Sequence, residues 1–323
     1  MQAPPELNVT TAASGSRAVW AAGPLVTALA ARHSGHEVST FTATFDHVLN
    51  EGDAAASVAR HLGMQPVCSY YCQPLGEGVL QNLRRTPPLG IDAHFCGDYV
   101  GLVLSFLIQY ARWLVRTARP PYFVYPGAPG VLGTLGYVNA AFEIRDQHRA
   151  QSLPDPEEIW VAAGSCGTFA GLLLGARLAG LESRVVGVRV IEDDVANRHK
   201  VARLAGRTAR YLRRLDPAVP RVEIAPGEVD LRDGTGGRPY AFPTAEALAA
   251  VDLAGRLEGL SLETTYTGKA LAALLERARE RPGARRLFVA TVAESPSVPE
   301  GDYHALPHAF WPIFDLGAEA RCR

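Results

Sequence analysis

The chain has 323 residues, 47% hydrophobic and 20% charged, with 31 glycines and 23 prolines, enough for two domains or one large α/β unit. A formal net charge of −1 argues against nucleic acid or an acidic membrane surface as partner. No apolar run has the length that spans a bilayer: residues 99–108 are too few, and 18–31 contain Pro24 and lack a signal peptide's layout.

Residues 1–16 are polar and rich in Pro, Ser and Thr. Residues 18–32 read as an apolar helix with an irregularity at Pro24, and 38–47 (VSTFTATFDH) alternate as a strand does. A helix over 54–62 ends at Gly63, a strand follows over 66–71, a helix begins at 79–83, and 92–96 form a short strand. Residues 100–117 are apolar all round, which predicts a buried or half-buried helix. A strand at 122–125, a loop at 126–130 and a helix over 133–151 precede the most informative stretch.

That stretch is 159–180, IWVAAGSCGTFAGLLLGARLAG. An apolar run (159–163) reads as a buried strand, then Gly164, Ser165, Cys166, Gly167 and Thr168 form a loop, then an Ala/Leu/Gly run has helical spacing. A strand turning through small residues into a helix N-terminus leaves backbone N–H groups unpaired. With the helix dipole they make an anion site, for which phosphate is the usual guest. The same loop also suits a purely structural turn.

Beyond it, 184–190 (RVVGVRV) read as a buried strand. Residues 197–215 read as a helix with Arg203, Arg207, Arg210 and Arg214 on one solvated face. Helices over 241–260 and 267–279, a last strand over 286–291, and a Pro- and aromatic-containing tail from Glu294 complete the chain. Alternating strands and helices predict an α/β fold of parallel sheets covered on both faces.

Five cysteines (Cys68, Cys72, Cys96, Cys166, Cys322) suit free thiols in a reducing compartment, hence a soluble, cytoplasmic protein. No metal site is expected. His304 and His308 stand four apart, but Pro307 opposes the helix that would align them. Lysine and arginine total 32, yet Lys200 and Lys269 are the only lysines.

The blocks 133–143 (GTLGYVNAAFE), 164–168 (GSCGT) and 243–270 (PTAEALAAVDLAGRLEGLSLETTYTGKA) together resemble the fold-type II pyridoxal-phosphate enzymes. The resemblance is to the 1-aminocyclopropane-1-carboxylate (ACC) deaminase and D-cysteine desulfhydrase family. It implies a two-domain architecture of the tryptophan synthase β type. A smaller domain would span 19–133, and a larger one, 1–18 plus 134–323, would hold the cofactor phosphate at residues 164–168. It also implies a homodimer, and an active site between the domains.

Three departures accompany the resemblance. The family's lysine, which forms the internal aldimine with the cofactor, is matched by Arg17, whose guanidinium can neither form that imine nor take up a proton. The family's serine–asparagine pair is matched by Leu49 and Asn50. Its glycine-rich turn after the last strand is matched by Thr291, Val292 and Ala293, whose side chains crowd the cofactor ring's place. Lys269 matches a family position that is not the Schiff-base residue, and Lys200 lies on the arginine-rich helix. Covalent cofactor attachment is therefore not expected, although non-covalent pyridoxal phosphate remains compatible.

Four functions stay open. The favoured one is a repurposed, cofactor-independent lyase, cyclase or isomerase acting on a small specialised metabolite. Arg17 would clamp a carboxylate, and Tyr266, Asn50 and Glu51, with Asp46, His47 and Asp53 nearby, would offer polar or acid/base groups. The second is a non-catalytic ligand-binding or partner protein, its cleft filled by Leu49 and Val292. The third is an ordinary pyridoxal-phosphate lyase or deaminase whose active lysine lies elsewhere. The fourth is a serine hydrolase with Ser165 in a nucleophile elbow and Asp233 and His304 in the right chain order.

Overall fold

The computed structural model describes residues 39–44, 56, 59–60, 63–70, 77–124, 130–238, 240–291 and 300–316. Within them lie two four-stranded sheets, both fully parallel.

The first sheet contains β1 (Ser39–Thr44), β2 (Gln65–Tyr70), β3 (Asp92–Phe95) and β4 (Tyr122–Val124), in the order β3-β2-β1-β4. Helices α1 (Glu77–Arg85) and α2 (Tyr99–Thr117) connect its strands. The tail that lacked periodicity returns here. Two short 3-10 turns (Tyr303–Ala305 and His308–Phe310) lead into α8 (Trp311–Leu316), and Leu306, Phe310 and Ile313 bury themselves against Tyr70, Leu80 and Ile91. The break between the turns falls at Pro307, so His304 and His308 do not share an α-helical face.

Helix α2 departs from expectation. Leu102 is buried, but Val100, Leu104, Leu107, Ile108 and Val115 are 50–85% exposed. A helix lying on a sheet can bury only one stripe, and α2 is apolar around its whole circumference. These five apolar side chains therefore face outward, while Phe106 packs on Phe123 at 4.7 Å between ring centroids. It does not supply the core that its composition suggested.

The second sheet contains β5 (Glu158–Ala163), β6 (Arg184–Arg189), β7 (Asp230–Asp233) and β8 (Arg286–Val289), in the order β7-β6-β5-β8. Sequence reading missed β7, whose four residues are all polar or charged except Leu231. Every residue of β5 is buried, and its side chains alternate between two layers. Ile159, Val161 and Ala163 join the core made with α3 (Val131–Ala150), α4 (Gly167–Ala179) and α5 (Arg198–Leu215). Trp160 and Ala162 join Ala270 and Leu274 of α7 (Thr267–Glu280) on the other side, where α6 (Ala245–Glu258) packs on α7. A strand covered on both faces reads as a continuous apolar run, which is how 159–163 reads.

Helices α3 and α4 approach each other closely. A Cβ on Gly171 would stand 2.5 Å from Tyr137 Cβ and 2.7 Å from the Thr134 carbonyl oxygen. One on Gly175 would stand 2.5 Å from the Val138 carbonyl oxygen. Glycine at these positions lets the two backbones touch, which fixes α4 and the loop at its N-terminus.

Glu158 ties β5 to β8. Its carboxylate is buried and accepts hydrogen bonds from Trp160 Nε1 (3.0 Å) and Arg286 Nε (2.8 Å). Burial alone would raise its pKa, but these two bonds, with the charges of Arg286 and Arg277, outweigh burial and hold it below the ordinary value.

Candidate active site

Parallel strands bring their C-terminal ends to one edge, which is where ligands bind in open α/β sheets. At that edge of the second sheet lie the loop 164–166 after β5, the segment from 190 after β6, Gly234 and Thr235 after β7, and Thr291 just beyond β8.

The loop turns the chain sharply from β5 into α4. Gly164, Cys166 and Gly167 are buried, while Ser165 and Thr168 are half-buried with their hydroxyl-bearing side chains partly accessible. Ala170 N donates to Cys166 O (2.9 Å), opening the helical ladder, so the amides of Gly167, Thr168 and Phe169 precede it. Cys166 sits in the left-handed region (φ 74°), which a non-glycine residue adopts at some cost, and this turns the chain into α4. Burial pushes its thiol up to about 11, against smaller opposing effects of Lys200 and the Asn197 backbone, so at neutral pH it is a thiol and not a nucleophilic thiolate.

Tyr266 stands directly over this loop. A Cβ on Gly164 would lie 2.7 Å from Tyr266 Cε1 and 3.5 Å from its hydroxyl oxygen. Two devices hold Tyr266 in place. The Glu263 carboxylate accepts hydrogen bonds from the amides of Thr265 (2.6 Å), Tyr266 (2.9 Å) and Thr267 (2.6 Å) and from the Thr267 hydroxyl (2.9 Å). It thereby caps the N-terminus of α7, which has no side-chain cap from Tyr266 itself. The second device is a short hydrogen bond between the hydroxyls of Tyr266 and Tyr240, whose rings meet edge to face at 6.0 Å. The Tyr240 amide donates in turn to Glu192 Oε1 (3.0 Å).

Charged groups flank the pair. Arg189 bridges Asp193 and Asp233, reaching the latter at 3.1 Å, and the Thr235 hydroxyl donates to Asp233 (2.9 Å). Burial would raise the pKa of Asp233, but the bonds from Thr235 and Arg189 prevail and depress it. Lys269, one turn into α7, is 1% exposed, and its Nζ has no hydrogen-bond partner among the described residues. Burial lowers its pKa, with Glu263, Asp233 and Glu192 opposing. Lys200 is exposed, and its ammonium donates to the carbonyls of Val195 (2.8 Å) and Asp194 (3.4 Å).

The structure thus brings Gly164, Ser165, Cys166, Gly167, Thr168 and Tyr266 together, with Thr291 half-buried past the neighbouring strand. Arg17, Asn50 and Glu51, like Asp46, His47, Leu49, Asp53 and Val292, lie outside the described residues. Sequence reading missed Tyr240, which lies in a loop with no periodicity. It also missed Glu263, although an acidic residue just ahead of a helix is a recognisable capping signal.

A hydrolytic triad is not assembled from the three residues considered. Asp233 is engaged by Arg189 and Thr235, the carboxylate on His304 Nδ1 is Asp302 (2.8 Å), and the positive φ falls on Cys166 and not on Ser165. Among the described residues, no three His, Cys, Asp or Glu side chains converge as a metal site, Cys96 and Cys166 are in no disulfide, and no helix is long and apolar enough to cross a membrane.

Comparison with known proteins bears on the family and the fold. D-cysteine desulfhydrase of Yersinia pestis (strain Pestoides F) is 36% identical over 156 residues, 48% of this chain and 44% of that protein. A putative 1-aminocyclopropane-1-carboxylate deaminase of Pyrococcus furiosus is 31% identical over 201 residues, 62% of this chain and 58% of that protein. The chain therefore spans about half the length of the curated relatives it matches. Among solved structures, an ACC deaminase homologue superposes with a TM-score of 0.68 at 26% identity, covering 86% of this chain and 81% of the other. An O-ureido-L-serine synthase mutant shares the fold alone, with a TM-score of 0.57 at 16% identity over 93% of this chain and 87% of the other. The signature of the family described as "Pyridoxal-phosphate dependent enzyme" matches residues 11–292, and with the parallel sheets and the glycine loop it settles the family: the chain is a fold-type II member of the pyridoxal-phosphate-dependent enzymes.

Proposed function

We propose that this family member acts on a small anionic metabolite without covalent attachment of the cofactor to a lysine, as a lyase, cyclase or isomerase. The observation that carries the reading is Tyr266. Its phenol is fixed against the 164–168 loop by Glu263 and Tyr240, whereas of the two lysines Lys200 is engaged by backbone carbonyls and Lys269 is buried.

The loop suits a phosphate or carboxylate. Its glycines allow close backbone approach, and Ser165 and Thr168 add hydroxyl donors to the amides at the start of α4. Pyridoxal phosphate, held there by its phosphate alone, would supply an electron-withdrawing ring. A metabolite bearing its own phosphate or carboxylate would use the same donors. Tyr266 gives or takes a proton at a substrate atom near the loop, and Tyr240 orients its hydroxyl by hydrogen bonding. Arg17 clamps a substrate carboxylate in this reading, with Asn50 and Glu51 supplying further polar groups. A homodimer remains part of the proposal, and the exposed apolar side of α2 supports it.

A binding titration tests the reading. Pyridoxal phosphate should bind reversibly, be removed by dialysis and be displaced by inorganic phosphate, and Gly167→Asp should abolish the interaction by placing a carboxylate in the cradle. Binding that survives dialysis and ignores phosphate would contradict it.

A further inference from the structure

Helix α5 carries Arg198, Lys200, Arg203, Arg207, Arg210, Arg213 and Arg214 and no acidic residue. Arg213 and Arg214 lie in the last turn, where the helix dipole welcomes them. The dipole does not account for Arg203, Arg207 and Arg210, which lie in the middle turns, three or four residues apart, where like charges repel along one helix face. All three are exposed, and among the described residues none has an ion-pair partner. Several arginines elsewhere are compensated: Arg177, Arg184, Arg189, Arg256 and Arg286 each pair with a carboxylate.

The row also borders concave surface. Between α5 and the segment 221–226 lies a hollow of about 600 Å³, with Arg203, Arg210, Arg213 and Arg221 among its walls. A second hollow of about 570 Å³, with Arg207 and Arg214, shares the wall formed by Arg210 and Arg213. Arg213 is occupied by the Val219 carbonyl oxygen (2.6 Å) and Arg221 by Glu223 (2.6 Å). Arg203 and Arg210 are thus the unpartnered guanidinium groups of the first hollow. Its floor is small and apolar, made by Ala202, Gly206 and Ala209 with Ile224 opposite.

We propose that this hollow binds a small organic polyanion, an apolar or planar body bearing two or more phosphate or carboxylate groups, at a site separate from the 164–168 loop. Guanidinium groups match phosphate and carboxylate in shape and charge, the volume lies in the range of small-molecule sites, and the floor accommodates an apolar body. A nucleic acid fits less well, because the chain as a whole carries a formal charge of −1 and lacks the broad positive field such a partner needs.

Adenosine diphosphate is a suitable probe, titrated calorimetrically into the intact protein at low and high salt. Binding should weaken as salt rises, and Arg203→Ala or Arg210→Ala should each weaken it about tenfold or more, as loss of a charged hydrogen bond does. Gly206→Leu supplies a second variant that keeps every charge. A Cβ there meets only Arg210 Nη1, at 3.6 Å, and leucine favours the helix, so the fold survives while the floor fills and binding is lost. The proposal is overturned if the probe does not bind at millimolar concentration, or if the three variants bind it as wild type does. Loss of binding in Gly167→Asp but not in the arginine variants would place the probe at the loop and also overturn it. So would binding of a short RNA or polyglutamate through these arginines when the nucleotide does not bind.

Discussion

Gly164 and Tyr266 are matched in shape: the loop residue has no side chain at the one point where the tyrosine ring would meet it, and a methyl group there would stand 2.7 Å from the ring carbon Cε1. Gly164→Ala should therefore displace Tyr266 from the loop and strain its bond to Tyr240. Overpacking of this kind costs about 1–3 kcal/mol, read by chemical denaturation. Binding of phosphate or pyridoxal phosphate should fall in the variant, measured by titration on the folded fraction. A variant with unchanged stability and binding would show that the ring does not depend on this contact.

Much of this arrangement was legible in the sequence. The run 159–163, the five-residue loop and the small-residue helix after it announce themselves because a doubly covered strand has no polar face, and a phosphate-type turn needs small residues. Tyr266 was legible through the block ending in Lys269. Tyr240 was not, since its position depends on where the segment after β7 returns, and β7 itself is too short and polar to show a period. The exposure of α2 was illegible for a different reason. Hydrophobicity around a whole helix indicates burial only if partners exist on every side, and sequence does not count partners.

Glu158 makes stability depend on pH in a defined direction. Its folded-state pKa lies below the ordinary carboxylate value, so its contribution is present above the unfolded pKa of about 4.3 and is lost as pH falls through the folded value. Glu158→Ala should destabilise the fold by about 1–3 kcal/mol near neutral pH, since it removes the carboxylate partner of Arg286, whose Nη atoms keep the carbonyls of Ala284 and Arg281, and should flatten the acid limb of the stability curve. Urea denaturation of both proteins between pH 3 and 7, on the order of one-unit steps, measures this. A parallel acid limb in the two proteins would count against it.

Cys166 offers a chemical probe of the loop. With its thiol buried and raised to about 11, it should resist iodoacetamide at pH 7 in the native protein and react once the chain is unfolded. Peptide mass mapping reads the difference. Rapid native alkylation at Cys166 would mean an open, activated thiol and a loop unlike the one described.

The central claim concerns the two lysines. Pyridoxal phosphate should be added to the purified protein, the visible spectrum recorded, borohydride added, and the peptides containing Lys200 and Lys269 weighed. With Lys269 buried and Lys200 bonded to two carbonyls, neither peptide should carry a reduced cofactor adduct, and any colour should leave on dialysis. A stoichiometric adduct on either lysine would contradict this and restore an ordinary lysine-bound cofactor enzyme.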